Sequence, residues 1–249
     1  MRKQLFDNHG RVLNYVRLAV TDRCNLRCFY CMPEEGIQYI NKTELMSFEE
    51  IHRGIKLLAQ MGIEKVRITG GEPFIRKDMV KLLWAIRKTE GIKDINITTN
   101  GTVLEQYIPE LKKLGIRSIN LSLDTMDRSR FFEITRQDVF DKVMRSFDLL
   151  LKNDFEVKIN TVVMAGKNEG DIIPLVSLTK YLPVVVRFIE EMPFNVEGAH
   201  YPKLKWNYKK IHQKIKDHFP NLQKLPDPPS STAMNYNVPS HKGSVGIIA

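Results

Sequence analysis

All three cysteines of this 249-residue chain lie within eight positions, from Cys24 to Cys31, with the spacing C-x3-C-x2-C. An odd number of clustered thiols does not fit the disulfide framework of a small secreted protein. A structural zinc site normally has four ligands, and no second Cys or His pair follows nearby. Three thiolates suit an iron–sulfur cluster that leaves one iron open to another ligand. We therefore predict that Cys24, Cys28 and Cys31 bind such a cluster, and are not unrelated buried cysteines.

The net charge of the chain indicates which partners it can bind, and its hydropathy argues against a membrane-spanning segment. A formal net charge of +9 and a pI near 9.4 favour a polyanion, which could be a nucleotide phosphate, a nucleic acid or a membrane surface. No apolar run is long enough to span a membrane, and the N-terminus lacks the apolar core of a signal peptide. Because free, oxygen-sensitive thiolates persist in a reducing compartment, the sequence predicts a cytoplasmic protein.

Strand-like and helix-like segments alternate about six times along residues 14–189, the pattern of a parallel sheet with right-handed crossovers. Ser47 and Glu50 form a capping box before the first helix. Since six units fall short of the eight of a closed barrel, we expect an α/β fold with an open, partial (β/α)6 TIM-like barrel. The predicted strands cover 14–20, 65–69, 95–99, 118–123, 157–163 and 184–189, and the predicted helices 47–61, 78–89, 105–114, 140–152 and 170–182.

The two ends of the chain depart from this alternation. Residues 1–14 are expected to form a polar arm with a turn at 8–11, and residues 193–205 to be irregular. A basic helix is predicted from Tyr208 to Phe219, and residues 225–243, rich in Pro, Ser and Asn, are predicted to form a loop. Residues 244–249 look like the start of a strand. Because a strand is an unusual natural end, we expect the chain to be truncated.

A Gly70-Gly71-Glu72-Pro73 turn directly follows the strand at 65–69, and its glycines allow the backbone to approach a ligand closely. Alone it would be an ordinary tight turn. Together with the cysteine loop it resembles the radical SAM (S-adenosylmethionine) superfamily and, within it, the GTP 3′,8-cyclase family of molybdenum cofactor biosynthesis. The resemblance covers roughly residues 10–195, and its motifs occur in the family's order at 21–33, 67–73, 98–101, 120–124, 157–160 and 187–193.

The resemblance implies a radical SAM barrel over residues 1–195 and assigns roles to individual residues. Cys24, Cys28 and Cys31 would hold a [4Fe–4S] cluster that binds S-adenosylmethionine. The other residues divide into those that would contact S-adenosylmethionine (Tyr30, Gly71, Ser122 and Met192) and those that would line the GTP site (Arg17, Arg67, Thr98 and Lys158, with Arg187 as a further candidate). From the residues alone, Arg17, Lys158 and Arg187 fit a charge at a strand edge equally well.

The implied activity is that of a lyase in the first step of molybdenum cofactor (molybdopterin) biosynthesis. GTP would be converted to 3′,8-cyclo-7,8-dihydro-GTP through a 5′-deoxyadenosyl radical. The resemblance further implies an electron donor and, downstream, the cyclic pyranopterin monophosphate synthase as partners. A homodimer is among the assemblies it allows.

One departure from the family affects the expected activity. The family carries a second three-cysteine cluster in its C-terminal part, and no cysteine follows Cys31 here. We expect residues 196–249 to be the truncated start of the substrate-binding region. S-adenosylmethionine cleavage would then remain possible, while cyclisation by these 249 residues would be poor or absent.

Two other functions remain open from the sequence. The first is a single-cluster radical SAM enzyme that acts on another substrate. The second is a non-enzymatic zinc-binding, nucleic-acid module, which the Gly-Gly-Glu-Pro turn and the strand-end motifs disfavour. The basic and aromatic run at 203–210 is more typical of a solvated helix face than of a nucleic-acid site, so nucleic acid is not the expected partner.

Overall fold

The computed structural model describes residues 4–33, 35–191, 205–228 and 231–249. Strands and helices alternate along them as predicted, and no helix in these ranges is long and apolar enough to cross a membrane. Short 3-10 turns lie at Pro73–Ile75, Glu105–Tyr107 and Glu169–Asp171. The strands and helices, in chain order, are β1 (Leu5–Phe6), β2 (Val12–Leu13), β3 (Tyr15–Ala19), α1 (Phe48–Gln60), β4 (Lys65–Thr69), α2 (Met79–Arg87), β5 (Asp94–Thr99), α3 (Ile108–Lys113), β6 (Ser118–Ser122), α4 (Arg128–Thr135), α5 (Phe140–Lys152), β7 (Glu156–Val163), α6 (Ile172–Tyr181), β8 (Val185–Glu190), α7 (Tyr208–His218), β9 (Gln223–Lys224), β10 (Met234–Asn237) and β11 (Ser244–Ile248).

The chain divides into two compact units, each built from several segments. Unit 1 comprises Met1–Asn25, Gln38–Asn120 and Lys142–Phe155, and unit 2 comprises Leu26–Ile37, Leu121–Asp141 and Glu156–Ala249. The division falls within the cysteine loop, after Asn25, and within β6, after Asn120.

Unit 1 is built on the parallel strands β3, β4 and β5, with the first residues of β6 next in order. Side chains alternate along β4, where Val66 and Ile68 are fully buried and Arg67 between them is half-buried. Helix α1 begins at the predicted capping box, in which the Glu50 amide donates to Ser47 Oγ and the Ser47 amide to Glu50 Oε2. One face of the β3–β5 strands is thus packed, and the other carries polar side chains.

Unit 2 is built on the parallel strands β7, β8 and β11, followed by the antiparallel strands β10 and β9. Asn160 of β7 pairs in register with Arg187 of β8, and Arg187 with Gly246 of β11. Helix α7 buries Ile211 and Ile215 completely. The parallel α/β fold that the alternation predicts is therefore confirmed, and the strand expected at the end of the sequence is β11.

Three segments differ from the prediction. The prediction of a loop over 225–243 is wrong at Met234–Asn237, where β10 pairs with β11 although its sequence favours a strand only weakly. Tyr236 of this strand is buried. The polar arm predicted for 1–14 forms the small antiparallel hairpin β1–β2 around the predicted turn. Helix α4 was not predicted at all. The irregular stretch predicted for 193–205 falls almost entirely outside the described residues.

Candidate functional site

The predicted site residues are divided between the two units. Unit 1 contains Arg17, Cys24, Arg67, Gly71 and Thr98, whereas unit 2 contains Cys28, Tyr30, Cys31, Ser122 and Lys158. Met192 lies outside the described residues. Each unit therefore carries a part of the predicted cluster site and a part of the predicted substrate site.

In unit 1, two arginines stand side by side on the polar face of the β3–β5 strands. Arg17 of β3 pairs in register with Arg67 of β4, and Arg67 with Asn96 of β5. Because side chains alternate along a strand, Thr98 lies on the same face as Asn96. The Arg67 guanidinium lies over the Tyr15 ring, 5.4 Å from its centroid, and its buried Nε has no hydrogen-bond partner among the described residues. Burial and then the Arg17 charge lower the pKa of Arg67, so this face is suited to an anion.

The turn that follows β4 lies against the backbone that leads to Cys24. The Gly71 amide donates to the Thr21 carbonyl at 2.7 Å, and the Glu72 amide donates to the Arg23 carbonyl at 2.8 Å. A Cβ on Gly70 would lie 2.4 Å from the Thr21 carbonyl oxygen, and one on Gly71 would lie 2.0 Å from the Arg23 carbonyl oxygen. Both glycines are therefore required by backbone-to-backbone packing that positions Cys24.

Glu72 is the buried acid of this turn. Its side chain is fully buried and accepts hydrogen bonds from the Asn100 amide (2.7 Å), the Thr99 hydroxyl (2.8 Å) and the Phe74 amide (3.2 Å). Burial raises the pKa of Glu72 to about 7, although the three hydrogen bonds oppose the rise. Glu72 thus ties the turn after β4 to the end of β5.

Asn100, the residue after β5, reaches Cys24. Its side-chain nitrogen Nδ2 lies 3.6 Å from Cys24 Sγ and 2.9 Å from Asn25 Oδ1. The Thr102 amide and hydroxyl donate to Asn100 Oδ1 at 3.0 and 2.7 Å. Asn100 is 7% exposed, so its amide is held in one orientation with a donor directed at the sulfur.

In unit 2, Cys28 and Cys31 belong to one tight turn that is anchored on α4. The amides of Cys31 and Met32 both donate to the Cys28 carbonyl, at 2.9 and 2.8 Å. The Arg27 amide donates to the Thr135 carbonyl at 2.9 Å, and the Phe29 amide donates to the Ile134 carbonyl at 3.1 Å. These carbonyls belong to the last turn of α4, where a helix leaves its acceptors unused. The helix that the sequence did not reveal therefore holds this turn.

Tyr30 joins the same turn to a buried carboxylate, that of Asp124. Its hydroxyl donates to Asp124 Oδ2 at 2.9 Å, while Asp124 Oδ1 accepts from the Val162 amide at 2.8 Å. Burial raises the pKa of Asp124 to about 6. Burial and then the Asp124 charge raise the pKa of Tyr30 well above its usual range, so the tyrosine stays a hydrogen-bond donor.

The remaining predicted residues of unit 2 lie on its parallel strands. Ser122 ends β6 and is half-buried, and Lys158 of β7 is half-buried two residues before Asn160. Asn160 is paired in register with Arg187, and its Oδ1 is buried without a hydrogen-bond partner in the part of the chain that the structure describes. Lys158, Asn160 and Arg187 therefore share one face of these strands.

None of the three cysteines, all within the described ranges, is in a disulfide. Cys31 is exposed and Cys24 and Cys28 are partly exposed, and partial burial raises the pKa of Cys31. Among the described residues, no three Cys, His, Asp or Glu side chains are drawn close enough together to hold a metal ion. The prediction that these thiols bind a cluster therefore rests on their spacing and chemistry.

Three residues of these sites were not given a role by the sequence reasoning, namely Glu72, Asn100 and Asp124. All three lie in motifs that carried the family resemblance, and each is a polar residue shortly after a strand of a parallel sheet. That position was the available signal, because functional groups of such folds gather at the carboxyl ends of strands. The contacts from Asn100 to Glu72, from Asn100 to Cys24 and from Tyr30 to Asp124, in contrast, join residues far apart in the sequence.

Comparison with known families gives a match over most of the chain. The model of the radical SAM superfamily matches residues 18–179. The chain is 42% identical to a protein named GTP 3′,8-cyclase from Clostridium botulinum, covering 98% of this chain and 76% of that protein. It is 42% identical to molybdenum cofactor biosynthesis protein 1 of Bos taurus and 40% identical to the mitochondrial GTP 3′,8-cyclase of Arabidopsis thaliana. Both alignments include 98% of this chain, but only 38% of the first protein and 63% of the second. The chain therefore spans less than two thirds of either relative.

Solved structures show the same fold at low sequence identity. Streptococcus suis SuiB bound to S-adenosylmethionine matches with a TM-score of 0.65 and 21% identity, over 83% of this chain and 48% of that one. The structure of anSMEcpe with bound AdoMet matches with a TM-score of 0.60 and 22% identity, over 82% of this chain and 59% of that one. These likenesses support the parallel α/β fold alone.

Proposed function

Because the chain belongs to the radical SAM superfamily and, within it, to the GTP 3′,8-cyclase family, we propose that it converts GTP to 3′,8-cyclo-7,8-dihydro-GTP. This would be the first step of molybdenum cofactor biosynthesis. The observation that carries the proposal is a pair of neighbouring arginines. Arg67 lies on β4, which runs directly into the Gly70-Gly71 turn, and Arg17 lies beside it on β3. This arrangement supports the proposal, because two cations and the Gly70-Gly71 turn lie on consecutive stretches of one unit.

The residues present fit the cofactors of this family. A [4Fe–4S] cluster takes thiolate ligands, and Cys24, Cys28 and Cys31 are thiols, with a hydrogen-bond donor already directed at Cys24 Sγ. When bound, the cluster and S-adenosylmethionine supply a 5′-deoxyadenosyl radical. Gly71 would contact the amino group of S-adenosylmethionine through its carbonyl oxygen, because its amide hydrogen already bonds to Thr21. Tyr30, Ser122 and Met192 are the further proposed contacts of that cofactor.

GTP brings a triphosphate, which calls for several cations on one face. Arg17 and Arg67 supply two, side by side on neighbouring strands. Thr98 adds a hydroxyl on the same face, and Lys158 is the proposed cation of unit 2. The role of these residues is to bind and orient the nucleotide so that its ribose is presented to the radical.

The remaining proposals concern the setting of the reaction. We place the protein in the cytoplasm, where thiols stay reduced, with a separate electron donor and with the cyclic pyranopterin monophosphate synthase as the consumer of its product. A homodimer remains part of the proposal. Residues 1–195 would form the radical SAM domain and residues 196–249 the start of the substrate-binding region.

Anaerobic reconstitution with iron and sulfide, followed by dithionite, S-adenosylmethionine and GTP deuterated at C3′, tests the proposal by mass spectrometry. We expect deuterium to appear in 5′-deoxyadenosine, with the cyclised nucleotide as a minor product of these 249 residues. Deoxyadenosine that forms without taking up deuterium would favour a single-cluster radical SAM enzyme with another substrate. No deoxyadenosine from cluster-loaded protein would contradict the radical SAM activity itself.

The substrate face is tested by one variant and a matched control. Arg67→Ala should weaken GTP binding about tenfold to a hundredfold, the cost of one charge-assisted contact. Lys65→Ala is the control, because Lys65 lies on the same strand but is exposed and paired with Asp94 at 3.8 Å. Equal weakening by both variants, measured by isothermal titration calorimetry, would mean that general charge and not this site binds GTP.

A further inference from the structure

The side chain of Asn100 approaches the sulfur of Cys24 in the cysteine loop. Its Nδ2 lies 3.6 Å from Cys24 Sγ, a distance typical of an N–H···S hydrogen bond because sulfur is a large acceptor. Asn100 is 7% exposed, so water does not compete well for this donor. The contact lies wholly within unit 1.

The identity of the atom that faces the sulfur is fixed by its neighbours. A backbone amide can only donate, and the Thr102 amide points at Asn100 Oδ1 at 3.0 Å; that atom must therefore be the oxygen. The other end of the side chain is then the NH2 group, and it also donates to Asn25 Oδ1 at 2.9 Å. Asn25 Nδ2 in turn donates to the Thr102 hydroxyl at 2.7 Å, which closes a ring of hydrogen bonds.

A second contact fixes the backbone of the same residue. The Asn100 amide donates to Glu72 Oε2 at 2.7 Å, and Glu72 is itself fully buried. Both the main chain and the side chain of Asn100 are thus held before any cluster binds. A donor held in this way needs no reorganisation when the charge on the sulfur changes.

From this geometry we infer that Asn100 is a positioning residue that raises the reduction potential of the cluster held by Cys24. The inference rests on the proposed function, since it requires the cluster. A hydrogen bond to a cysteine sulfur stabilises the more negative, reduced state, and such bonds are among the main determinants of iron–sulfur potentials. Asn100 therefore eases delivery of the electron on which S-adenosylmethionine cleavage depends.

The test compares midpoint potentials of reconstituted proteins with equal iron and sulfide content, measured by EPR-monitored redox titration. Asn100→Asp keeps the acceptor for Thr102 and loses the donor to Cys24. Asn100→Ser withdraws the donor from the sulfur, because the serine hydroxyl is one bond shorter, and adds no charge. At a fixed solution potential, Asn100→Ser should lower the ratio of reduced to oxidised cluster about tenfold, equivalent to about 59 mV for a one-electron couple. Asn100→Asp should lower it further because of its charge.

Asn120→Asp is the matched control, since Asn120 is a buried amide of the same unit whose hydrogen bond goes to Thr98. It should leave the potential near that of the wild type. Unchanged potentials in both Asn100 variants, or an equal shift in Asn120→Asp, would overturn the inference while leaving the proposed function intact. A wild-type protein that binds no cluster would overturn both. Should Asn100→Asp fail to fold, as judged by circular dichroism, Asn100→Ser alone decides.

Discussion

Cys24 and the turn from Cys28 to Cys31 are held in the protein by different kinds of contact. In unit 1, the backbone before Cys24 lies directly against Gly70 and Gly71, with no space for a Cβ. In unit 2, the turn is held by hydrogen bonds, from its own amides to the end of α4 and from Tyr30 to Asp124. Backbone packed on backbone cannot adjust, whereas a side-chain hydrogen bond can be replaced by another of similar shape. Substitutions in unit 1 should therefore cost more than equivalent ones in unit 2.

The largest expected effect is that of Gly71→Ala. The added methyl group would lie 2.0 Å from the Arg23 carbonyl oxygen, and relieving this clash requires the main chain to move. We expect the free energy of unfolding to fall by about 3 kcal/mol, measured by urea denaturation. Gly54→Ala is the control, because a Cβ at this position of α1 meets nothing within 4 Å. It should stabilise the protein by about 0.5–1 kcal/mol, and similar effects of the two substitutions would remove the basis of the comparison.

The glycine turn of unit 1 could be recognised from the sequence, whereas helix α4 of unit 2 could not. The sequence singled out Gly70 and Gly71, because a glycine pair directly after a predicted strand allows close backbone approach. The approach was expected toward a ligand, whereas in the structure the Cβ positions face the backbone of Thr21 and Arg23. Helix α4 was not recognisable from the sequence, since its apolar residues do not form a clear stripe and its N-cap residue, Asp127, precedes a polar first turn. The alternation of strands and helices follows from local patterns, which is why it was predicted correctly.

Contacts between distant segments could not be read from local patterns. Tyr30 and Asp124 are far apart in the chain, as are Glu72 and Asn100, and each pair meets only in the folded protein. Strand β10 was missed for the same reason, because Met234–Asn237 becomes a strand only beside β11. The sequence therefore indicated which residue types mattered, but not which atoms they would contact.

The next largest effect is the pH dependence of unit 1 through Glu72. Burial raises its pKa from 4.5 to about 7, so the folded protein keeps a proton that the unfolded chain has already lost. The stabilisation is complete below about pH 4.5 and is lost as the pH rises through about 7. The loss is on the order of 3 kcal/mol. Glu72→Gln cannot titrate, so the difference in free energy of unfolding between wild type and this variant should change by that amount across the window.

Asp124 provides the corresponding measurement for unit 2. Burial raises its pKa from 3.8 to about 6. The stabilisation by protonated Asp124 is therefore lost as the pH rises through about 6, which is lower than the corresponding pH for Glu72. Urea denaturation at closely spaced pH values should show that the difference in free energy of unfolding between wild type and Asp124→Asn changes at lower pH than the difference between wild type and Glu72→Gln. Coinciding windows would mean that the two acids share one environment, and the distinction between the units would fail on this point.

A smaller effect is expected for Tyr30→Phe. The ring remains, but Asp124 Oδ2 loses its hydrogen-bond donor while the carboxylate stays buried. Leaving a buried acceptor without its partner costs about 1–3 kcal/mol, measured as the loss in free energy of unfolding. Tyr181→Phe should cost almost nothing, since Tyr181 is 67% exposed. Equal stability of the two variants would show that the Tyr30–Asp124 bond does not hold the turn.

The smallest effect separates the shape of the Tyr30–Asp124 contact from its charge. In Asp124→Asn, Oδ1 can still accept from the Val162 amide, and the new NH2 group can donate to the Tyr30 oxygen once the hydroxyl rotates. Both positions keep a hydrogen bond, so at pH 7 we expect a loss below about 1 kcal/mol in free energy of unfolding. Glu72→Gln has no such solution, because both Glu72 oxygens accept from backbone amides that cannot reverse. At the same pH, a loss in Asp124→Asn as large as that in Tyr30→Phe would mean that the negative charge, and not the hydrogen bond, holds the Cys28–Cys31 turn.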